Sequence, residues 1–445
     1  MNIKKVVYTA LFFVVLGCTK DRMPTLVELD NQLRQNIRAA SPDGNIDYYI
    51  LPQDDIDKIP QDVKNPLTAE KIELGKLLFF DTGLGRDALK SSGIGTYSCA
   101  TCHIPSAGFK PGNFQGIADG GVGFGVNGED RVRNTAYSED ELDVQSARPL
   151  TMVNVAYVKN TFWNGQFGSG GANVGTEDVW DLKEDTERNH LGFEAIETQN
   201  MEGLITHRIR IDKEILDEYG YTPMFDEVFS DIAEEERYTI ETASFAFSAY
   251  IRSIISDKAP FQEWLRGNNQ SMGISEKRGG ILFFGKALCS NCHYEQNLGS
   301  IEFHALGVKD MYQIPSYNTS AADPRNLGRG GFTKVDADNY KFRVPGLYNA
   351  GDTEFFFHGA SKTTLEEVIE YKDLAVGENS NVPADRISPK FRSLSLSAQE
   401  KEDLVAFIKY GLKDPDLERY QPTSVPSGAC FPNNDIQSRI DLGCK

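Results

Sequence analysis

The sequence predicts a mainly α-helical protein built from two tandem helical units. Three observations carry that reading. Gly75-Lys76-Leu77-Leu78-Phe79-Phe80 and Gly279-Gly280-Ile281-Leu282-Phe283-Phe284 are matching apolar runs, and a Cys-x-x-Cys-His follows each. Apolar residues recur at helical spacing at Ile240, Ala243, Phe247, Ile251 and Ile254, so 237–256 reads as an amphipathic helix. Strand-like alternation is scarce. By length alone, 445 residues would hold roughly two to four domains.

The two cysteine motifs are Cys99-Ala100-Thr101-Cys102-His103 and Cys289-Ser290-Asn291-Cys292-His293. Cys-x-x-Cys-His is the attachment signature of c-type haem. The two thiols form thioethers to the vinyl groups, and the adjacent imidazole reaches the iron as proximal ligand. One chance occurrence is expected in about one of a thousand chains of this composition, so two are not accidental. A zinc site would need both pairs to converge, and a thioredoxin-like pair would need a βαβ context that neither has. Each apolar run therefore reads as a buried helix beside its haem.

From the N-terminus, Lys4 and Lys5 precede an apolar run, 6–16, too short to span a bilayer. It ends in Val15-Leu16-Gly17-Cys18, which resembles a bacterial lipobox. The resemblance implies cleavage of the signal 1–17 and a lipid on Cys18; an ordinary secretory signal is the alternative, and either exports the chain. Cleavage removes two lysines and no acid, taking the net charge from −19 to −21. No later run approaches the length of a membrane span, so the lipid would be the anchor. So acidic a chain repels phosphate backbones, which excludes nucleic acid as a partner. It suits steering a basic electron donor, an effect that salt weakens.

Residues 18–50 read as a tether, 51–256 as the first domain, 257–274 as a linker and 275–412 as the second domain. Asp257-Lys258-Ala259-Pro260 and Gly267-Asn268-Asn269-Gln270 punctuate the linker. Residues 107–135 carry eight glycines within 108–128, so they cannot be regular structure. There, Gly121-Val122-Gly123-Phe124-Gly125 lacks the strand and the Gly-Lys-Ser/Thr of a nucleotide loop, and reads as a loop folded against the first haem. Thr363-x-x-Glu366 and Ser397-x-x-Glu400 read as capping boxes that open helices. In the tail, 413–445, Cys430 and Cys444 read as a disulfide, with free thiols the alternative.

Across about 50–412 the chain resembles the bacterial di-haem cytochrome c peroxidases, with the related methylamine-dehydrogenase-maturation oxidases. The resemblance rests on Leu74-Gly75-x-x-Leu78-Phe79-Phe80-Asp81, both haem motifs, and Phe162-Trp163-Asn164-Gly165. It continues in Phe342-x-Val344-Pro345-x-Leu347-x-Asn349, Phe357-His358-Gly359 and Thr364-Leu365-Glu366-Glu367-Val368. It implies two cytochrome c-like domains, a periplasmic location, and reduction of hydrogen peroxide at the N-terminal haem. Electrons would enter at the C-terminal haem from a small cytochrome c or cupredoxin. In the maturation branch, peroxide instead serves to oxidise residues of a partner protein.

The same resemblance assigns candidate site residues. Gln199 matches the distal glutamine, and Trp163 matches the tryptophan that relays electrons between haems. The family's distal acid falls about ten residues beyond the glutamine, where this chain has Ile209, so His207 or Glu202 would take that role. No histidine lies between His103 and His190, which predicts a five-coordinate or water-ligated first haem. The family's calcium-binding asparagine, fifteen residues before the tryptophan, is Arg148 here. A cation there argues against calcium unless Asn134 or Asn154 supplies the oxygen. For the second haem's sixth ligand, the ungapped position is Lys372, Tyr371 lies one residue away, and Met311 is a distant alternative. Tyr371 is the choice that would lower the potential and favour the maturation branch. His304 and His358 match positions that hydrogen-bond around the second haem.

Overall fold

Each Cys-x-x-Cys-His motif is preceded by a helix that crosses a second helix at a glycine. The computed structural model describes residues 24–444 apart from positions 54 and 183. In the first half, α2 (Ala69–Phe80) packs on α4 (Ile240–Ser253). In the second half, α6 (Ile274–Phe283) packs on α8 (Ala398–Ala406) in the same way. A Cβ on Gly75 would lie 1.9 Å from the Ala246 carbonyl oxygen, and one on Gly279 would lie 1.9 Å from that of Asp403. Only glycine permits either crossing. The sequence repeat is thus a repeated helix pair, and α3 (Ala195–Thr206) lies against α4 to complete the first half.

Caps set the helix starts. Thr239 opens α4 by accepting the Thr242 amide, so the periodic stretch begins at Ile240 rather than 237. Ser397 and Glu400 form the expected box on α8. The other box is shifted by one: Thr364 caps α7 (Leu365–Leu374) with Glu367, whose carboxylate also accepts from the Thr363 amide. Strands are confined to two antiparallel ladders. β1 (Gly121–Val122) pairs with β2 (Val132–Arg133), and β3 (Phe303–His304) pairs with β4 (Phe342–Arg343).

Two stretches that read as tether and linker carry packed helices. The stretch 18–50 is no tether in its described part: α1 (Leu26–Ala40) buries Leu33 and Ile37 and packs on α6. Asp30 of α1 accepts the Trp264 indole at 2.7 Å and pairs with Lys277 at 2.7 Å. The stretch 257–274 is no linker, because α5 (Pro260–Leu265) is core. Phe261 and Trp264 are fully buried there, and Gln262 bonds Leu51, Tyr49 and Tyr348. One continuous apolar core runs from Leu33 to Val425 through both halves. The tail returns to the first half, where Pro432 accepts from Ser98 and Thr101 beside the first motif. Cys430 and Cys444 form a disulfide, as expected. Their loop carries α9 (Ile436–Asp441), whose Asp441 accepts from the amides of Phe124 and Gly125. The Gly121–Gly125 segment therefore lies against the tail, which also holds Gly123 through Asp435.

The signal and Cys18 lie outside the described residues. Among those described, no helix is long and apolar enough to cross a membrane. Gly75→Ala and Gly279→Ala should each destabilise the protein by about 1–3 kcal/mol, as overpacking does. Thermal unfolding of the haem-loaded protein checks this, and an unchanged midpoint would show slack at the crossing.

Candidate active site: two matching haem clefts

The two motifs fold identically. Cys99–Thr101 and Cys289–Asn291 are single tight turns, in which the amide of His103 donates to the Cys99 carbonyl at 3.1 Å and that of His293 to the Cys289 carbonyl at 2.9 Å. The turn puts both thiols and the imidazole on one side. His103 Nδ1 bonds the Phe109 carbonyl at 3.0 Å, and His293 Nδ1 bonds the Leu298 carbonyl at 2.7 Å. A carbonyl can only accept, so Nδ1 carries the proton and each Nε2 is left with a lone pair. Burial pushes both imidazoles down to about 4, which keeps them neutral. All four motif thiols are free. Neutral imidazoles with bare Nε2 atoms beside paired thiols fit two covalent haems, with His103 and His293 as proximal ligands and Cys99, Cys102, Cys289 and Cys292 as attachment points.

A largely apolar cleft opens at the first motif. It is lined by Cys99, Cys102, His103, Trp163, Gln199 and His207. Gln199 projects from α3, and His207 caps the end of that helix. His207 Nδ1 bonds both oxygens of Asp143, at 2.8 and 3.1 Å. Burial works to lower the His207 pKa, but the Asp143 carboxylate outweighs it and the net shift is upward. Glu202, the other acid considered, is paired with Arg188 instead. The expectation about the first haem counted only the residues soon after His103; the fold brings His207 into the same cleft from much further along the chain. Asp143 was missed, and a lone aspartate beyond a glycine-rich loop offers no signal for it.

Trp163 borders this cleft and faces the second half. Its indole donates to the Arg148 carbonyl at 2.7 Å, and its ring lies 6.2 Å from that of His358. His358 stacks on Phe342 at 3.5 Å and bonds Asp310 at 2.9 Å, which Asn379 holds in turn. The Phe162–Gly165 turn around Trp163 is gripped from the second half. The Arg343 amide donates to the Trp163 carbonyl at 2.8 Å, and the Arg329 guanidinium donates to those of Asn164 and Gly165 at 3.1 Å.

Arg148 is buried with no carboxylate partner. Its guanidinium donates to the carbonyls of Asn113, Pro111 and Glu354 at 2.5, 3.1 and 3.0 Å, and to the Thr353 hydroxyl at 3.2 Å. Burial alone pushes its pKa down to about 9. The other two residues considered for calcium are already engaged. Asn154 exchanges bonds with Ser256, and the Asn134 oxygen accepts from the Ala136 amide.

Around the second motif the expected ligand is not where it was placed. The Tyr371 hydroxyl donates to the Leu306 carbonyl at 2.6 Å, and its ring packs 5.7 Å from that of Phe357 and 5.2 Å from that of Phe391. It is a core aromatic with its polar end satisfied. Both His304 nitrogens are held, by Glu302 at 2.8 Å and by Ser388 at 3.0 Å. Lys372 follows Tyr371 on α7, with its Nζ 5.7 and 5.6 Å from the centres of the Phe357 and Phe391 rings. Burial pushes its pKa down to about 8 while the Cys292 and Cys289 sulfurs oppose that shift.

Residues 69–270 match the family model described as di-haem cytochrome c peroxidase. Over that stretch the chain is similar to the family. Among curated relatives, it is 28% identical over 396 residues to the cytochrome-c peroxidase IdrP1 of Pseudomonas sp. (strain SCT), covering 83% of this chain and 89% of the relative. It is 28% identical over 356 residues to the methylamine utilization protein MauG of Methylorubrum extorquens, covering 79% and 81%. Among solved structures, a MauG-like protein associated with microbial copper homeostasis superposes with a TM-score of 0.56 at 25% identity, covering 82% of this chain and 97% of that one. The family model ends before the second Cys-x-x-Cys-His. There, the matching turn and imidazole geometry is this structure's own observation.

Arg148→Met should lower stability by at least about 3 kcal/mol, because it strips a buried cation from several carbonyls at once. Thermal unfolding at neutral pH measures it, and a loss below about 1 kcal/mol would mean that water replaces the guanidinium without penalty.

Proposed function

We propose that this chain is a di-haem c-type peroxidase. It reduces hydrogen peroxide to two waters at the first haem, consuming two protons and two electrons. The electrons enter at the second haem from a small cytochrome c or cupredoxin. The observation that carries this reading is the Asp143–His207 pair, which shares the His103 cleft with Gln199. The corresponding pair at the second motif is His304–Glu302, but there both ring nitrogens are engaged, one by Glu302 and the other by Ser388.

Haem, when bound, supplies a redox-active iron and a conjugated ring that stores and passes electrons. The chain's own groups handle the protons. Asp143 fixes His207 through Nδ1, which leaves Nε2 facing the cleft to take a proton from peroxide and return it to the departing oxygen. The Gln199 amide donates a hydrogen bond in the same space. Trp163, fixed through its indole and both flanking carbonyl contacts, is the relay toward His358 and the second half. The mainly apolar walls keep bulk water from competing for the proton.

The alternative expected from sequence, a maturation-type oxidase acting on a partner protein, drew on Tyr371 as a ligand. Its hydroxyl is committed to Leu306, which favours the peroxidase. The lipobox-like segment supports an exported, periplasmic or envelope-side enzyme tethered by a lipid on Cys18. In that case Cys18→Ser should move it from the membrane to the soluble fraction.

His207→Ala should lower steady-state peroxide turnover by about 10²- to 10⁴-fold, the usual worth of a positioned acid–base group. Turnover unchanged in Gln199→Ala would remove that residue from the mechanism. The pH dependence has a definite sign. A raised histidine pKa stabilises the fold fully below the unfolded value of about 6.5, and that contribution is lost as pH rises through the folded value. Asp143→Asn should therefore cost more stability at pH 5 than at pH 9, and the acid limb of turnover should move to lower pH. Equal losses at both values would show that the pair does not govern His207.

A further inference from the structure

Arg343 is a buried arginine whose guanidinium is mostly unused. It lies on β4 with 7% of its surface exposed. Its Nε donates to the Phe162 carbonyl at 3.1 Å, and its amide holds the Trp163 carbonyl at 2.8 Å. A guanidinium carries five N–H donors, so the other four sit on the two terminal nitrogens. Those nitrogens have no hydrogen-bond or ion-pair partner among the described residues. Glu295 borders a small cavity beside Arg343 but makes no ion pair with it. The other buried arginines differ. Arg252 pairs with Glu197 at 2.6 Å, and Arg131 pairs with Asp435 at 3.3 Å and donates to the Ala118 carbonyl at 2.8 Å. Arg329 donates to the Ala172 carbonyl at 2.6 Å and the Asn173 side-chain oxygen at 2.7 Å, and Arg148 reaches four oxygens. Among the described residues, Arg343 alone keeps a buried guanidinium with most of its donors unmet, which is costly unless an anion meets it.

The place of that anion is the first haem cleft. Arg343 and its neighbour Phe342 line this cleft together with Cys99, Cys102 and His103. The other charged side chains on its wall are committed. Arg148 holds main-chain oxygens, Arg325 pairs with Asp323 at 3.0 Å, and Asp143 is bonded to His207. The cleft therefore offers Arg343 no carboxylate of its own. A haem attached at Cys99 and Cys102 brings two, as propionates, into a mainly apolar space where an unpaired carboxylate is strongly disfavoured. The planar fork of a guanidinium matches a carboxylate with two parallel bonds.

We propose that Arg343 receives a propionate of the haem carried by Cys99 and Cys102. The assignment deepens the proposed function and rests on its reading of the first motif as a haem site. One residue then makes three ties: to the propionate through its terminal nitrogens, to the Phe162 carbonyl through Nε, and to the Trp163 carbonyl through its amide. The edge of the haem is thereby fixed to the turn that carries Trp163, by a residue of the second half. A cation at that edge also favours the reduced haem, whose iron carries one positive charge fewer.

The test uses the full-length holoprotein. Mass spectrometry of the peptide containing Cys99 and Cys102 first shows the attached haem. A crystal structure of the wild type should place a propionate oxygen of that haem within hydrogen-bond distance of a terminal nitrogen of Arg343. Spectroelectrochemical titration in mildly alkaline buffer reads both midpoints, the first haem being recognised by its shift in Asp143→Asn. Arg343→Gln should lower that midpoint more than the second haem's. Arg343→Lys, which keeps the charge, and Glu295→Gln should leave it near the wild-type value. Equal shifts in Arg343→Gln and Arg343→Lys would show a packing role and overturn the pairing. So would a holoprotein structure with Arg343 on Glu295, on water alone or on a propionate of the second haem, and that structure decides even where a variant fails to load haem. No haem at Cys99 and Cys102 overturns the reading of the first motif and the assignment with it.

Discussion

The bond from each motif histidine to a main-chain carbonyl is the constraint on which the site depends. His103 reaches Phe109 and His293 reaches Leu298, so each imidazole is anchored to the chain that immediately follows it. That bond fixes the tautomer, turns Nε2 outward and sets the plane of the ring before any haem arrives. The glycine crossings of α2 with α4 and of α6 with α8 then bring an apolar wall to each imidazole. Local chemistry and helix packing thus repeat one turn, one anchored imidazole and one apolar wall in both halves.

The clefts diverge in what the rest of the fold delivers to them. The first receives Gln199 from within α3, His207 from the end of that helix and Asp143 from beyond the glycine-rich loop. At the second motif, His304 lies by Cys292 with its nitrogens held by Glu302 and Ser388. The two motifs thus differ in the polar groups that surround them. Between them, buried cations replace carboxylate pairs. Arg148 takes main-chain oxygens from 111–113 and 354, and Lys110 Nζ donates to the carbonyls of Asn349 and Ala350 at 3.1 Å. Donating to carbonyls rather than to acids ties the backbones of both halves together, and Trp163 hangs from the Arg148 carbonyl at that joint.

Much of the architecture was legible in the chain. The paired apolar runs, the period of α4, the Ser397 box and the Cys430–Cys444 bridge all follow from residues close in sequence. Domain limits were not legible. Asp257-Lys258-Ala259-Pro260 has the composition of a linker, yet Pro260 begins a helix whose Phe261 and Trp264 are core, because apolar side chains outweigh local turn chemistry when a buried slot exists for them. The tether expectation failed for the same reason at Leu33 and Ile37.

The sequence by itself determined the chemistry held by contiguous residues: two haem attachment motifs, the helices that precede them, and an acidic chain unsuited to nucleic acid. Attachment needs only thiols and an imidazole at short fixed spacing, so that information is local. The tertiary structure alone decided which distant side chains face each cleft. It put His207 on Asp143 and spent the Tyr371 hydroxyl on Leu306. Those choices depend on helix rotation and loop path, and no spacing in the chain records them.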